Sequence, residues 1–183
     1  LTVEPNTEFW NRPPVLPEDE TLWDIQEAGQ ALLAEHGFAQ YETSAYAQPG
    51  RRARHNLNYW TFGDFLGLGA GAHGKWSSPD GQIRRHWKTR LPKDYLDPAK
   101  RFRAGDKRLE RDELPFEFLM NVLRLTEGVC ATLFTQRTGL PTEVLAEGRR
   151  EAEARGLLEA DPHRLVATAR GQLFLNDLLQ LFL

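Results

Sequence analysis

The chain is 183 residues long, 40% hydrophobic and 27% charged, with a formal net charge of −3. That is enough apolar side chain to bury the core of one large domain or two small ones. Its single cysteine excludes a disulfide framework and any metal or iron–sulfur site built from cysteines of this chain alone. No apolar run approaches the ~20 residues that span a bilayer, the nearest being LFLNDLLQLFL at the end, interrupted by Asn176 and Asp177. The expectation is a soluble protein, or one that at most lies on a membrane.

The first residue is Leu1 and the only methionine is Met120, so the sequence reads as the C-terminal part of a longer protein. Cys130, in TEGVCATLF, sits among apolar neighbours and reads as a plain buried thiol, which suits the cytoplasm. Charge is unevenly spread: residues 84–111 hold 11 Lys or Arg against four Asp or Glu. A basic segment of this kind invites a nucleic acid or a carboxylate- or phosphate-bearing ligand, or is a solvated linker.

In chain order, LTVE reads as a strand, and PNTEFWNRPPVLP, with four of the 11 prolines, as a loop. Pro17 followed by Glu18, Asp19 and Glu20 opens a helix, because acidic side chains favour the positive end of the helix dipole. Leu22, Ile25, Ala28, Leu32 and Leu33 carry the helical spacing, and Gly37 closes it. Residues 38–46 read as the next strand. A strand, helix, strand order predicts parallel pairing, as in an α/β barrel or open sheet. The turn Ser78-Pro79-Asp80-Gly81 between KWS and QIRRHWKTR predicts a β-hairpin. Residues 91–112 are polar and basic, with Pro92, Pro98 and Gly105, and mark a boundary. Helical patterns then cover 116–125, 131–137 and 142–155, the last ended by Gly156. LLEAD and HRLVATA read as a strand pair turning at Asp161-Pro162, and 173–183 as a closing helix. This is a winged-helix-like order.

The densest chemistry lies in residues 54–75, RHNLNYWTFGDFLGLGAGAHGK. Gly69, Gly71 and Gly74 have the spacing of a dinucleotide-binding turn, and Gly69, Gly74 and Lys75 nearly match a P-loop. Neither reading survives its context, since KWSSPDGQ supplies no helix and Trp76 stands where a Mg²⁺-binding hydroxyl belongs. The glycines instead suit a backbone running close to something flat or bulky, or a crossing of two backbone segments. His55 is the strongest single ligand candidate, with Asn56 or Tyr59 available to order its ring, and His73 is a weaker one. With no H-x-x-x-H or C-x-x-C partner, a single-histidine cofactor such as heme is the metal reading. Glu4 and Glu42 are candidates for the carboxyl end of a parallel sheet, where ligands bind.

LTVEPNTEFWNRPPVLPEDE, QYETSAYAQPG, RHNLNYWTFGDFLGLGAGAHGK, LPFEFLMNVLRL and GQLFLNDLLQLFL, in this order, resemble the C-terminal half of the HemW-type radical-SAM heme chaperones, relatives of oxygen-independent coproporphyrinogen III oxidase. The resemblance implies an α/β fold: the last strands and helices of a partial (β/α) barrel over 1–111, then a mainly helical winged-helix-like domain over 112–183. It implies a parent that binds heme, S-adenosylmethionine and a [4Fe-4S] cluster on a C-x-x-x-C-x-x-C loop. That loop is absent from these residues, so no radical chemistry is expected of them alone. By the same resemblance His55 is the heme-iron ligand with Asn56 and Tyr59 as motif partners, and Thr2 and Leu66 line an S-adenosylmethionine pocket. The implied partners are heme and acceptor hemoproteins in the cytoplasm, with room for peripheral membrane association and for a homodimer.

Chemically, Trp60, Phe62 and Phe65 are expected to stack on the macrocycle, and the basic segment to pair with its propionates. Two rival functions stand beside this one. An oxidative decarboxylase of coproporphyrinogen in porphyrin biosynthesis is the nearest enzyme, against which HNLNY argues. A basic winged-helix module binding nucleic acid is the other, opposed by Glu143, Glu147, Glu151 and Glu153 on the helix that would do the reading, so no nucleic acid is expected.

Overall fold

The computed structural model describes residues 3–5 and 7–183. The chain divides into two compact units, 1–39 and 40–183. The expected domain boundary at 111/112 therefore falls inside the second unit.

In the first unit, Val3 and Glu4 form no strand, while Leu1 and Thr2 of the expected strand lie outside the described residues. Helix α1 (Glu8–Asn11) is capped by Thr7, whose hydroxyl accepts from Trp10 N. Helix α2 (Asp19–Glu35) opens on Asp19 and Glu20 as expected. At its other end Gly37 takes φ +77° while Phe38 N donates back to Leu33 O. A residue without Cβ makes that left-handed closure cheap.

In the second unit, the expected single strand 38–46 is a hairpin of β1 (Ala39–Glu42) and β2 (Ala45–Ala47), because the backbone turns at Thr43-Ser44. After α3 (Arg54–Trp60) comes an antiparallel sheet of β3 (His73–Ser77), β4 (Ile83–Lys88) and β5 (Arg103–Arg108), in that spatial order and with α4 (Pro92–Tyr95) between the last two. The hairpin at Ser78-Pro79-Asp80-Gly81 is thus present, and part of the expected boundary segment is its third strand. Strand, helix, strand with parallel pairing is not found among the described residues: the two larger pairings of this sheet are both antiparallel.

The C-terminal helices follow their sequence pattern. Helix α5 (Leu114–Val122) buries Leu114, Pro115, Phe118, Leu119 and Val122, a three- and four-residue spacing that makes one apolar stripe. Next come β6 (Val129–Cys130), α6 (Thr132–Thr138), a 3-10 turn at Thr142–Leu145 and α7 (Ala146–Ala154). The expected strand pair over 157–169 is reduced to a bridge between Leu158 and Ala167. The main partner of β7 (Arg164–Leu165) is β6, through Val129 with Leu165 and Cys130 with Arg164. The expected closing helix over 173–183 is α9 (Leu175–Gln180), preceded across Phe174 by a further short helix, α8 (Ala169–Leu173).

Cys130 is exposed, not buried. On β6 it alternates with Val129, which takes the inward position. A hydrogen bond with the Thr132 hydroxyl, 3.1 Å away, holds its thiol below the ordinary range. Phe118 is at the centre of the core: its ring meets Phe62 edge-on at 5.6 Å and Phe134 at 5.2 Å, and none of the three is more than 1% exposed. Phe62 belongs to the segment after α3, so this aromatic cluster ties the HNLNY region to the helical part.

Candidate functional site

The HNLNY motif is a helix, α3, and its five side chains separate by direction. His55 and Tyr59 are four residues apart and so share a face, their rings edge-on at 6.2 Å. Tyr59 in turn meets Phe65 edge-on at 4.4 Å. The two asparagines point elsewhere. Asn56 Nδ2 donates to the Tyr41 hydroxyl at 3.2 Å, and Asn58 Nδ2 donates to Asp64 O at 2.9 Å. Leu57 and Trp60 pack on the core. His55 is exposed, while Asn56 and Tyr59 are half-buried. The structure thus brings His55 and Tyr59 together and uses Asn56 to fasten their helix to β1.

Tyr41, Arg52, Arg124 and Glu127, not singled out from the sequence, hold α3 in place. Tyr41 is 3% exposed, with the Arg52 guanidinium over its ring at 5.9 Å, and Arg52 also pairs with Glu127. Arg124 lies over the Trp60 ring at 4.3 Å and pairs with Glu42 at 3.3 Å. Glu42 is 2% exposed, so it is the structural partner of an arginine and not a ligand-binding carboxylate. Glu4 lies in the first unit, outside any sheet, and is exposed. The 82-residue separation of Glu42 and Arg124 explains why no local pattern revealed the pair.

After α3 the chain turns sharply. Phe62 takes φ +55°, a conformation costly for a bulky residue. The turn drives its ring into the core against Phe118, so Phe62 is not available to stack on a ligand. Trp60 is likewise occupied by Arg124, and of the three expected aromatic contacts Phe65 remains half-exposed. Phe65 and Lys75 exchange backbone hydrogen bonds at 2.8 and 3.0 Å, adding residue 65 beside β3. Lys75 is 2% exposed, its ammonium 4.2 Å from the Phe62 ring centre and 2.8 Å from Asp64 Oδ1. Burial holds the lysine below its ordinary pKa despite that partner. For Asp64, burial works to raise the pKa, but hydrogen bonds from Lys75 and Ser77 outweigh it and the net direction is down. Asp64→Asn should therefore destabilise the fold by roughly 2 kcal/mol, less than the ~3–5 kcal/mol of a fully buried pair, since the aspartate is 45% exposed. The wild type's contribution is present above the ordinary carboxylate range and lost as pH falls through the folded-state pKa, so the variant should flatten the stability curve below about pH 4. Chemical denaturation at several pH values measures both.

The glycine loop has a local explanation. A Cβ on Gly67 would lie 2.1 Å from His73 O, and one on Gly74 would lie 2.2 Å from His86 Nε2. The first is a crossing of two backbone segments, and the flat object against the second is a side chain of the protein itself. His73 is exposed and stacked beside Trp87 at 6.3 Å. Leu66 is 77% exposed, and Thr2 lies outside the described residues.

Alternation along the sheet sorts the basic segment into two faces. Phe65, Lys75, Arg85 and Lys107 are cross-strand neighbours on the face toward α5. There each cation is matched: Lys75 by Asp64, Arg85 by Glu117 at 2.6 Å and Lys107 by Glu113. The propionate partners expected on the side of Tyr59 and Phe65 are therefore already engaged. Among the described residues no group of three or more His, Cys, Asp or Glu could hold a metal ion, and no helix is long and apolar enough to cross a membrane.

Comparison with known proteins agrees with this architecture. Residues 109–174 match the HemN C-terminal domain. The heme chaperone HemW of Escherichia coli (strain K12) is 49% identical over all 183 residues, which cover 48% of that protein. The heme chaperone HemW of Haemophilus influenzae is 46% identical over the same 183 residues, 47% of its length, and that of Bacillus subtilis is 30% identical over 191 aligned positions, 49% of its length. The chain thus spans about half the length of the curated relatives it matches. Among solved structures, coproporphyrinogen III oxidase (HemN) from Escherichia coli, a radical SAM enzyme, superposes with a TM-score of 0.64 at 17% identity, over 91% of this chain and 42% of that one. That likeness establishes the α/β fold. With a HemN C-terminal domain and a sequence likeness that runs the whole chain, the protein belongs to the HemN/HemW family.

Proposed function

We propose that this chain is the heme-contacting part of a heme chaperone, with His55 as the ligand to heme iron and Tyr59 and Phe65 as the adjoining wall. The observation that carries the reading is the exposed imidazole of His55 beside an edge-to-face row of Tyr59 and Phe65. An accessible imidazole would supply a nitrogen ligand to heme iron, and the aromatic rings the apolar contact that a macrocycle prefers to water. Asn56 acts through Tyr41, setting the pitch of α3 and so the direction of His55. Heme held here would be bound through the His55 imidazole, with Tyr59 and Phe65 against the macrocycle.

These residues do not fit an iron–sulfur cluster, since the chain has one cysteine. A cluster and S-adenosylmethionine belong to the proposal only through other parts of the full-length protein, where the exposed Leu66 would contribute shape alone. The free, exposed Cys130 supports a reducing, cytoplasmic setting. Titrating heme into the full-length protein should give a shifted Soret band that saturates near one heme per chain. A spectrum equal to free heme plus protein would refute the proposal.

A further inference from the structure

On the sheet face away from α5, two cations have no carboxylate partner among the described residues, Lys88 and Arg108. Strands β3, β4 and β5 place Trp76, Arg84, His86, Lys88, Asp106 and Arg108 on one face, opposite the face of Phe65, Lys75 and Arg85. Asp106 is the acid of this row, and it is occupied by Arg84 at 2.6 Å and Arg103 at 3.2 Å. Among the described residues no carboxylate pairs with Arg108 or Lys88, the latter resting over the Phe102 ring at 4.6 Å. Trp76 stands 38% exposed in the same row. His86 is 6% exposed, and its buried Nδ1 has no hydrogen-bond partner.

We propose that this outer sheet face is a docking surface for an acidic protein surface, that of the acceptor which takes the heme. The identity of the partner as an acceptor rests on the proposed function. The acidic chemistry rests on the face itself, where Arg108 and Lys88 have no carboxylate partner and acidic side chains would complement them. Charge decides between a local acidic patch and an extended polyanion. The patch holds two unpaired cations, which a local acidic surface can match and which give an extended polyanion few phosphate contacts. A folded partner meets only the patch. An exposed tryptophan among arginines is also the composition that dominates protein–protein contacts. Docking on this face leaves the opposite side, with Tyr59 and Phe65, free to hold its ligand.

The test uses the full-length protein and two apomyoglobins of unchanged heme pocket, one made strongly acidic and one strongly basic by surface substitution. Binding is read without heme, by fluorescence anisotropy of the labelled apomyoglobin. The acidic form should bind, weaken as ionic strength rises from about 0.01 to about 0.15 M, and weaken about tenfold on Arg108→Glu and again on Lys88→Glu. Arg108 is the cleaner site, because its reversal breaks no pair of the fold, and unchanged thermal melting checks that. Equal binding of the two apomyoglobins, binding unaffected by Arg108→Glu, or a short DNA duplex bound as well as the acidic form would each overturn the proposal. Heme titration of the same variants should match the wild type. A protein that docks as described but takes up no heme refutes the heme-chaperone reading and leaves the acidic docking surface standing.

Discussion

Phe118→Ala should lower the stability of the protein by about 3–5 kcal/mol, the range for truncating a fully buried aromatic side chain. Phe118 is 0% exposed and joins Phe62 to Phe134 by edge-on contacts. The cavity opens under the one positive-φ residue other than glycine among the described residues, Phe62. Packing against Phe118 is what compensates the strain of that conformation, so the turn after α3 should relax along with the core. Thermal unfolding gives the stability loss, and amide exchange of residues 54–65 should rise more than that of α7. Uniform exchange across both segments would mean that α3 is held by Tyr41 and Arg124 alone.

His55→Ala has the other large effect, on ligand and not on fold. The side chain is exposed, so its removal should leave unfolding within about 0.5 kcal/mol of wild type, as surface substitutions do. Heme affinity should fall by more than the roughly 10–100-fold that loss of an outer-shell partner costs a metal site, because here the ligand itself is removed. Tyr41→Phe should fall within that smaller range, since it releases Asn56 and loosens the direction of α3 without touching the imidazole. Equal losses for the two variants would make His55 one more positioning residue.

Local patterns carried much of this architecture. Helix α2, the hairpin at Ser78-Pro79-Asp80-Gly81, and α5 to α7 could be read from dipole, turn and spacing signals that act over a few residues. Pairing between distant segments could not. Residues 38–46 looked like one strand because Thr43 and Ser44 are no strong turn formers, and β5 looked like a linker because its charges hid a strand whose faces are both polar. The glycine loop misled for a related reason: Gly67 and Gly74 are required by His73 and His86, partners that only the folded sheet brings against them.

At the candidate site, His55 and Tyr59 were legible because a four-residue spacing on a helix is a local fact. The burial of Phe62 was not, since it depends on a left-handed turn and on Phe118, 56 positions away. Glu42 with Arg124 is equally non-local, and it is this pair, with Trp60, that fixes the end of α3.

The identity of the iron ligand is the most direct test of the account. Resonance Raman spectra of the ferrous, heme-loaded full-length protein should show an iron–histidine stretch that disappears in His55→Gly and returns when free imidazole is added to fill the vacated space. A stretch that persists unchanged in His55→Gly would assign the ligand to another histidine and contradict the site described for α3.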